Sequence, residues 1–279
     1  GAPASETNWW AGTGLEVTCL NRIAVHPRDP QRLYLCYADI GLLQSLDGGR
    51  TFAQTVRGMK CAGNTFVVAF DPADPRTLWA GTGWWNRNEG DVCRSDDSGF
   101  TWSVVGRPET GLPGGQTRHL LVDPSSPAAA RRLFVGVNGH GVYASEDGGA
   151  SWSARNDGLP GGEIRGLAAD PSDPAVLFAL LAKGKDPVGG LFRSADRGRS
   201  WRRLGADFAC PDAKALVVCP SDPRRIYVGA RETYTGGKLH PGGVFVSADG
   251  GATWRHALKD CFIEALAADP RSADTLYAG

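Results

Sequence analysis

The sequence predicts an all-β protein built from repeated units of four short strands. A motif of the form Ser-x-Asp-x-Gly-x-Ser/Thr-Trp/Phe occurs five times, and its aspartates are 50, 50, 49 and 53 residues apart. An apolar stretch that ends in proline occurs six times. The 38 glycines and 18 prolines separate short apolar runs, which favours tight turns between strands over long helices.

Each unit contains four predicted strands in a fixed order. The apolar stretch that ends in proline is the innermost strand, and it covers 23–27, 67–72, 120–124, 167–171, 216–220 and 266–270. A turn and a β-rich run such as 32–36 follow it and give the second strand. The Gly-Val-Tyr type of run before each motif gives the third strand, and the residues after the motif give the outer strand.

Such units predict a β-propeller. A four-stranded sheet with two apolar faces must bury both faces away from water. Radial stacking of such sheets around an axis buries both faces and leaves only short edges exposed. We therefore expect one propeller domain over 1–279, with blades one to five and the start of blade six in 21–279. Because the last repeat lacks the motif, six or seven blades are expected, the last being incomplete in this sequence. Residues 8–15 are similar to 151–159, so segment 1–20 is expected to supply the closing outer strand.

The motif, called the box below, has a structural role. Its aspartate can accept hydrogen bonds from backbone amides across the turn, its glycine suits positive φ, and its aromatic ring can pack between blades. The five box aspartates are Asp47, Asp97, Asp147, Asp196 and Asp249. A calcium loop of the EF-hand type needs ligands at alternate positions and a glutamate at the twelfth, which the boxes lack. We expect neither a metal nor a cofactor.

The boxes identify a resemblance to a known group of proteins. Over 21–279 the chain resembles the Asp-box, or BNR-repeat, propellers, which include sialidases, xyloglucan-specific endoglucanases, sortilin-type receptors and a photosystem II assembly factor. The resemblance implies the fold and says little about function, because the box folds the turn in all of these families.

Composition excludes several classes of partner. Thirty basic and thirty acidic residues balance, so the charge excess typical of nucleic-acid binding is absent. The longest apolar run, 175–182, is far shorter than the ~18 residues of a membrane span. Met59 is the only methionine, which indicates that Gly1 follows a processing or trimming site. We therefore expect an extracytoplasmic protein, either periplasmic or secreted.

The seven cysteines do not form a recognisable metal motif. Four are predicted to lie in loops that enter an innermost strand, namely Cys19, Cys61, Cys210 and Cys261. Their spacing lacks the Cys-x-x-Cys pairs of a zinc site, which favours disulfides or buried thiols. The other three are predicted to lie in strands and to belong to the core, namely Cys36, Cys93 and Cys219.

Two long loops between second and third strands suggest a ligand site on one end of the propeller. In 82–89, Trp84 and Trp85 beside Asn86 and Arg87 combine flat rings with amide and guanidinium donors, as a sugar-binding platform does. Alternatively, one tryptophan packs beneath its own loop, and we expect one exposed ring. Further candidates on this end are Glu232, Tyr234 and His140.

A second candidate feature is a set of cations at one repeat position. Six residues before the proline of the innermost strand stand Arg118, Arg165 and Lys214 in three consecutive blades. Converging near the channel mouth, they would focus a positive field on an anion. The alternative is a set of water-satisfied polar residues, with Glu264 at the same position of the sixth repeat as a counter-charge.

Catalysis is implied only by resemblance. Residues 21–27 and 37–41 look like the first blade of the xyloglucan hydrolases, whose Asp-Ile-Gly aspartate is a catalytic carboxylate, so Asp39 inherits that candidacy. Glycoside hydrolysis needs a second carboxyl group, and neither Glu89, Asp91 nor Glu232 is singled out by spacing. A sialidase is disfavoured because its Arg-Ile-Pro signature is replaced by 22–24, Arg-Ile-Ala.

We therefore predict an exported propeller that binds a carbohydrate or protein ligand on its top face and is non-catalytic on its own. The alternative is a glycoside hydrolase similar to the xyloglucanases, or the N-terminal half of one. Nucleic acid is not an expected partner, no membrane span is expected, and membership of a larger assembly is left open.

Overall fold

A computed structural model describes residues 19–85, 87–182, 189–205, 208, 212–259 and 261–279. Apart from two short 3-10 turns, Pro108–Thr110 and Ala128–Ala130, every regular element in this described part is a β-strand. The predicted all-β class is confirmed. No helix in the same residues is long or apolar enough to cross a membrane.

Five antiparallel sheets of four strands form the blades. Blade one contains β1 (Leu20–Val25), β2 (Leu33–Tyr37), β3 (Gly41–Ser45) and β4 (Ala53–Gln54). Blade two contains β5 (Thr65–Phe70), β6 (Leu78–Thr82), β7 (Val92–Ser95) and β8 (Ser103–Gly106). Blade three contains β9 (Thr117–Val122), β10 (Leu133–Val137), β11 (Gly141–Ser145) and β12 (Ser153–Ala154).

The later strands follow the same plan, with one inserted hairpin. Blade four contains β13 (Ile164–Ala169), β14 (Leu177–Leu181), β15 (Gly190–Ser194) and β16 (Arg202–Leu204). Blade five contains β17 (Ala213–Val218), β18 (Ile226–Ala230), β21 (Gly243–Ser247) and β22 (Arg255–Lys259). Between its second and third strands lies a hairpin of β19 (Thr233–Thr235) and β20 (Lys238–His240). The sixth repeat forms β23 (Leu266–Ala268) and β24 (Leu276–Ala278).

The order of strands within each blade matches the prediction, but the blade count does not. Each sheet runs in chain order from innermost to outer strand. Among the described residues five blades are complete, so the expectation of six or seven is wrong for this structure. The reason is that the sixth repeat supplies only the two-stranded sheet of β23 and β24 and has no box to turn a third strand into a fourth. Segment 1–18, expected to close the ring, lies outside the described residues.

Contacts divide the chain into two compact units, Gly1–Phe134 with Ser145–Ser153, and Val135–Ala144 with Ala154–Gly279. In unit 1, the facing sides of blades one and two share a buried cluster that includes Tyr34, Leu42, Leu78 and Trp102. In unit 2, the facing sides of blades four and five share a cluster that includes Phe178, Leu191, Leu204 and Val228. Stacking of sheets on their apolar faces, as the repeat predicts, therefore occurs within each unit.

The box builds the same turn in every blade. In blade one the Asp47 carboxylate accepts hydrogen bonds from the Thr51 amide (2.9 Å) and hydroxyl (2.7 Å), and the Gly49 amide donates to the Ser45 hydroxyl (2.8 Å). The bonds from Thr51 hold the pKa of Asp47 at about 2. Gly49 has φ +90°, as predicted. The same bonds recur at Asp97, Asp147, Asp196 and Asp249.

The box aromatic ring packs between neighbouring blades, as predicted. Trp102 of blade two is 5% exposed, and its indole N–H donates to the carbonyl of Thr55, which follows the outer strand of blade one, at 2.9 Å. The same N–H lies 3.0 Å from the Gly99 carbonyl in its own box. Each box therefore fixes a turn, and the box of blade two also anchors its blade to blade one, whereas Phe52 of blade one packs against Leu35 and Leu43 of its own blade.

Candidate ligand-binding site

A β-bulge turns the second residue of the innermost strand out of the ladder. In blade two Thr65 lies opposite Thr82 but Val67 lies opposite Gly81, so Phe66 has no partner. The same shift isolates one residue in each of three other blades, namely Asn21, Arg165 and Lys214. Bulges re-aim side chains at the edges of sheets. These residues all stand six positions before the proline of the innermost strand, which is the repeat position of the cations described in the sequence analysis.

Phe66 and Arg118, which share that repeat position, meet Trp85 in a small cluster called the platform below. The rings of Phe66 and Trp85 lie edge to face, with centroids 5.4 Å apart. The Arg118 guanidinium carbon lies 5.3 Å from each centroid, within the range of cation–π attraction. Phe66 is buried, whereas 49% of Trp85 is exposed. The platform thus has a covered base and one open aromatic ring.

Gln116 ties the cation to the tryptophan loop. Its carbonyl oxygen accepts hydrogen bonds from Arg118 Nε (2.9 Å) and Nη2 (2.6 Å), while its amide group donates to the Trp84 carbonyl (2.9 Å). Gln116 itself is buried. Sequence reasoning missed this residue, although the equivalent positions two residues before Arg165 and Lys214 also carry polar partners of the cation.

The two tryptophans of the loop have different surroundings. Trp84 is half-buried and packs over Gly63, where an added Cβ would lie 2.7 Å from its ring. Its amide donates to the Glu89 carbonyl at 3.0 Å, which closes the loop. One ring of the pair is therefore exposed, in line with the expectation. Arg87 is exposed on the same loop, and Asn86 lies outside the described residues.

The other cations of the repeat position have counter-charges within their own blades. Arg165 pairs with Glu163 and Lys214 pairs with Asp212, each at 2.7 Å. Glu264, expected to offset them, pairs with Arg231 instead. Their charges are thus compensated locally, and binding of an anion by these residues stays a prediction.

Asp39 lies in the turn that joins β2 to β3. It is exposed, its φ is +68°, and its amide donates to the Asn64 side-chain oxygen at 3.0 Å. In blade three Gly139 holds the equivalent position with φ +78°. An aspartate in this left-handed conformation is accepted more readily than most side chains but still costs energy relative to glycine.

Of the candidate second carboxyl groups, Glu89 and Glu232 are exposed, but Asp91 is only 2% exposed. The Asp91 carboxylate is therefore not on the accessible surface of the loop. Asp91 lies beside Cys61, where burial, followed by the hydrogen bond to Asp91, raises the pKa of the thiol to about 12. Sequence reasoning did not foresee this burial, because the contact joins the loop before β5 to the residue before β7.

The remaining candidates belong to unit 2. Tyr234 is 69% exposed on the β19–β20 hairpin, where it lies opposite Leu239. His140 is half-buried in the turn before β11, and its carbonyl accepts a hydrogen bond from the Asn156 amide group at 3.0 Å. A role for Glu232, Tyr234 and His140 in ligand binding stays a prediction.

The cysteines show no metal centre among the residues that the structure covers, where no group of three or more His, Cys, Asp or Glu could hold an ion. Cys19 and Cys61 precede innermost strands as predicted and are free thiols. Cys219 is buried, but it follows the last residue of β17 and so does not lie within the strand as predicted. Cys210 lies outside the described residues.

Comparison with known proteins supplies the family. Residues 62–269 match the DUF6242 β-propeller domain. The chain belongs to that family. The match spans blades two to five and part of the sixth repeat, and it leaves out blade one, which has the same four strands and box.

Curated relatives of this family member include xyloglucanases. The chain is 35% identical over 96 residues to a xyloglucanase from a Paenibacillus species, which covers 31% of this chain and 9% of that protein. It is 31% identical over 164 residues to the xyloglucanase Xgh74A of Acetivibrio thermocellus, which covers 47% of this chain and 19% of that protein. The chain thus spans less than a fifth of either relative.

Solved structures show the same fold. A Niastella koreensis GH74 enzyme has a TM-score of 0.65 and 23% identity, covering 86% of this chain and 38% of that one. YCF48 from Cyanidioschyzon merolae has a TM-score of 0.55 and 16% identity, covering 93% and 92%. The resemblance to Asp-box, BNR-repeat and sortilin-type propellers rests on the box motif in the sequence.

Proposed function

We propose that this chain is an extracytoplasmic ligand-binding propeller, that its ligand is a glycan held on the platform, and that it binds without catalysing a reaction. The observation that carries the proposal is the exposed Trp85 ring, which meets the Phe66 ring edge to face and has the Arg118 guanidinium group over one of its faces. A ring that is open on one side and fixed on the other can bind without losing conformational freedom.

The chemistry of the loop suits a sugar. A flat aromatic ring takes the C–H face of a pyranose, and nearby donors take its hydroxyl groups. Trp85 supplies the ring, and the exposed Arg87 supplies guanidinium donors on the same loop. The xyloglucanase relatives support a glycan of the xyloglucan type as the class of ligand.

Calorimetric titration with xyloglucan oligosaccharides tests this proposal. Trp85→Ala should weaken binding at least tenfold, because it removes the stacking surface, and it should abolish the ligand-induced change in tryptophan fluorescence. Tyr234→Ala is the matched control, since it removes another exposed aromatic ring and should leave the affinity unchanged. Failure of the native chain to bind any sugar on a broad glycan array would overturn the glycan proposal.

A protein ligand is the alternative occupant of the same surface. One structural neighbour is YCF48 bound to a D1 peptide, with 16% identity and a TM-score of 0.57. A partially exposed tryptophan beside an arginine is also the composition of a protein interaction site. Loss of a captured protein partner on Trp85→Ala, together with a negative glycan array, would favour this alternative.

Hydrolysis is a second candidate function, favoured by Asp39. It presents a carboxylate from a left-handed turn position where blade three has glycine, and its surroundings resemble the first blade of xyloglucan hydrolases. A hydrolase needs a second carboxyl group about 5–9 Å away. Release of reducing ends from xyloglucan by the native chain, lost in Asp39→Asn, would establish the enzyme and contradict the non-catalytic proposal.

A further inference from the structure

Blade four carries a concentrated positive charge that the proposed function does not use. Residues 193–203 contain one carboxylate, Asp196, and five arginines, namely Arg193, Arg197, Arg199, Arg202 and Arg203. The chain as a whole has no net charge. This segment comprises the end of β15, the box and the start of β16, so its charges are fixed on a turn rather than spread along a loop.

Two of these arginines face each other across the ladder. Arg193 of β15 and Arg202 of β16 are direct antiparallel partners. Side chains of direct partners lie on one face of a sheet with their Cβ atoms about 5 Å apart, and like charges placed there destabilise the pair. The fold therefore holds two guanidinium groups together against their repulsion.

In blade two, the positive charge at the position equivalent to Arg193 is neutralised by an ion pair. Its equivalent arginine, Arg94, forms an ion pair with Asp96 at 2.7 Å and lies 5.6 Å from the ring of Trp79. The residue opposite Arg94 is Ser103, which is neutral. In blade four the aspartate is replaced by Ala195 and the serine by Arg202. Both changes increase the uncompensated positive charge.

Arg193 and Arg202 line a groove of about 590 Å³ within unit 2, and Arg224 lies on its wall. Three aspartates also line the groove, and each accepts hydrogen bonds in a turn: Asp170 from Ser172, Asp222 from Arg224 and Asp249 from Thr253. Within the residues that the structure describes, no carboxylate oxygen lies within 4.0 Å of the Arg193 or Arg202 guanidinium group.

We propose that this groove binds an oxyanion of the phosphate or sulfate class between Arg193 and Arg202. Two adjacent guanidinium groups can each donate a pair of hydrogen bonds to such a tetrahedral anion, and a dianion neutralises both charges at once. Arg224 lies at the groove wall, where its guanidinium group is paired with Asp222 at 3.4 Å, so the proposed anion is held by Arg193 and Arg202. The oxyanion is either a free ion or an ester group on a larger anionic ligand such as a sulfated oligosaccharide.

This site can be tested by thermal unfolding and by calorimetry. Both are carried out with sodium phosphate and sodium sulfate, and sodium chloride at equal ionic strength serves as the reference. Either oxyanion should raise the Tm of the native chain more than that of Arg202→Gln, because exclusion of these ions from the surface stabilises both proteins but only the native site binds them. Arg202→Gln should weaken oxyanion binding at least tenfold and should raise the Tm in chloride, because it removes the repulsion. Arg202 is exposed, so this variant is expected to fold.

Arg94→Gln is the matched control, since it removes the equivalent arginine of blade two and should leave oxyanion affinity unchanged. Arg193→Gln should repeat the effect of Arg202→Gln. Titration with a sulfated oligosaccharide distinguishes the sources: tighter binding than inorganic sulfate indicates an ester group on a larger ligand, and equal binding indicates the free ion. The proposal is wrong if none of the three probes binds saturably, or if Arg202→Gln binds them as well as the native chain.

Discussion

Replacement of Trp152 by alanine measures how strongly a box anchors its blade. Trp152 is 6% exposed, and its indole N–H donates to the Gly149 carbonyl at 2.9 Å. Burial of roughly 200 Å² at about 25 cal/mol per Å² gives about 5 kcal/mol as an upper limit. Residual burial in the unfolded chain lowers this figure by about 10–40%. We therefore expect a loss of about 3–5 kcal/mol in the free energy of unfolding, the usual range for a buried tryptophan.

Equilibrium unfolding in urea, followed by circular dichroism, gives this free energy. The control is Trp85→Ala, which removes the same side chain from a half-exposed position and should cost under about 1 kcal/mol. The argument that the box ring anchors the blades would be refuted if Trp152→Ala lowered the free energy of unfolding by less than about 1 kcal/mol while the slope of that free energy against urea concentration stayed unchanged.

Two further predictions concern charged groups. Hydrogen bonds from Thr253 lower the pKa of Asp249 to about 2. The stability that this carboxylate contributes should therefore be full above about pH 4 and be lost as the pH falls towards 2. Asp249→Asn should make the fall in Tm over this pH range shallower. Arg131 and Asp71 form a buried ion pair at 2.7 Å. Arg131→Ala should lower the free energy of unfolding by about 3–5 kcal/mol, because it leaves a buried carboxylate without its partner. In urea unfolding, the double variant Asp71→Leu with Arg131→Met should recover part of that loss.

Much of the fold could be predicted because the signals are local. The box places its serine, aspartate and threonine within seven residues, and their side chains bond to the same turn in each blade, so a repeated motif predicts a repeated geometry. The positive φ of Ser98 and Arg197 was not foreseen, because most boxes have glycine at that position. There the hydrogen bonds of the turn impose the conformation.

The candidate site was only partly predictable because its contacts cross blades. Phe66 and Arg118 each stand six residues before the proline of an innermost strand, which is why they are neighbours on adjacent blades. Nothing in the sequence linked them to Trp85 or to Gln116, which reach the cluster through the loop between β6 and β7 and the entry to β9. Pairing of Arg165 with Glu163 was foreseeable, since the two residues carry opposite charges and are only two positions apart in the sequence.

A crystal structure of the chain with a bound xyloglucan oligosaccharide tests the central claim most directly. The account predicts a pyranose ring stacked on the exposed face of Trp85, with its hydroxyl groups within hydrogen-bonding distance of Arg87. The intact oligosaccharide should be present, because the platform is proposed to bind without cleavage. Density for the sugar elsewhere on the chain, with the Trp85 ring uncovered at saturating ligand, would contradict the account.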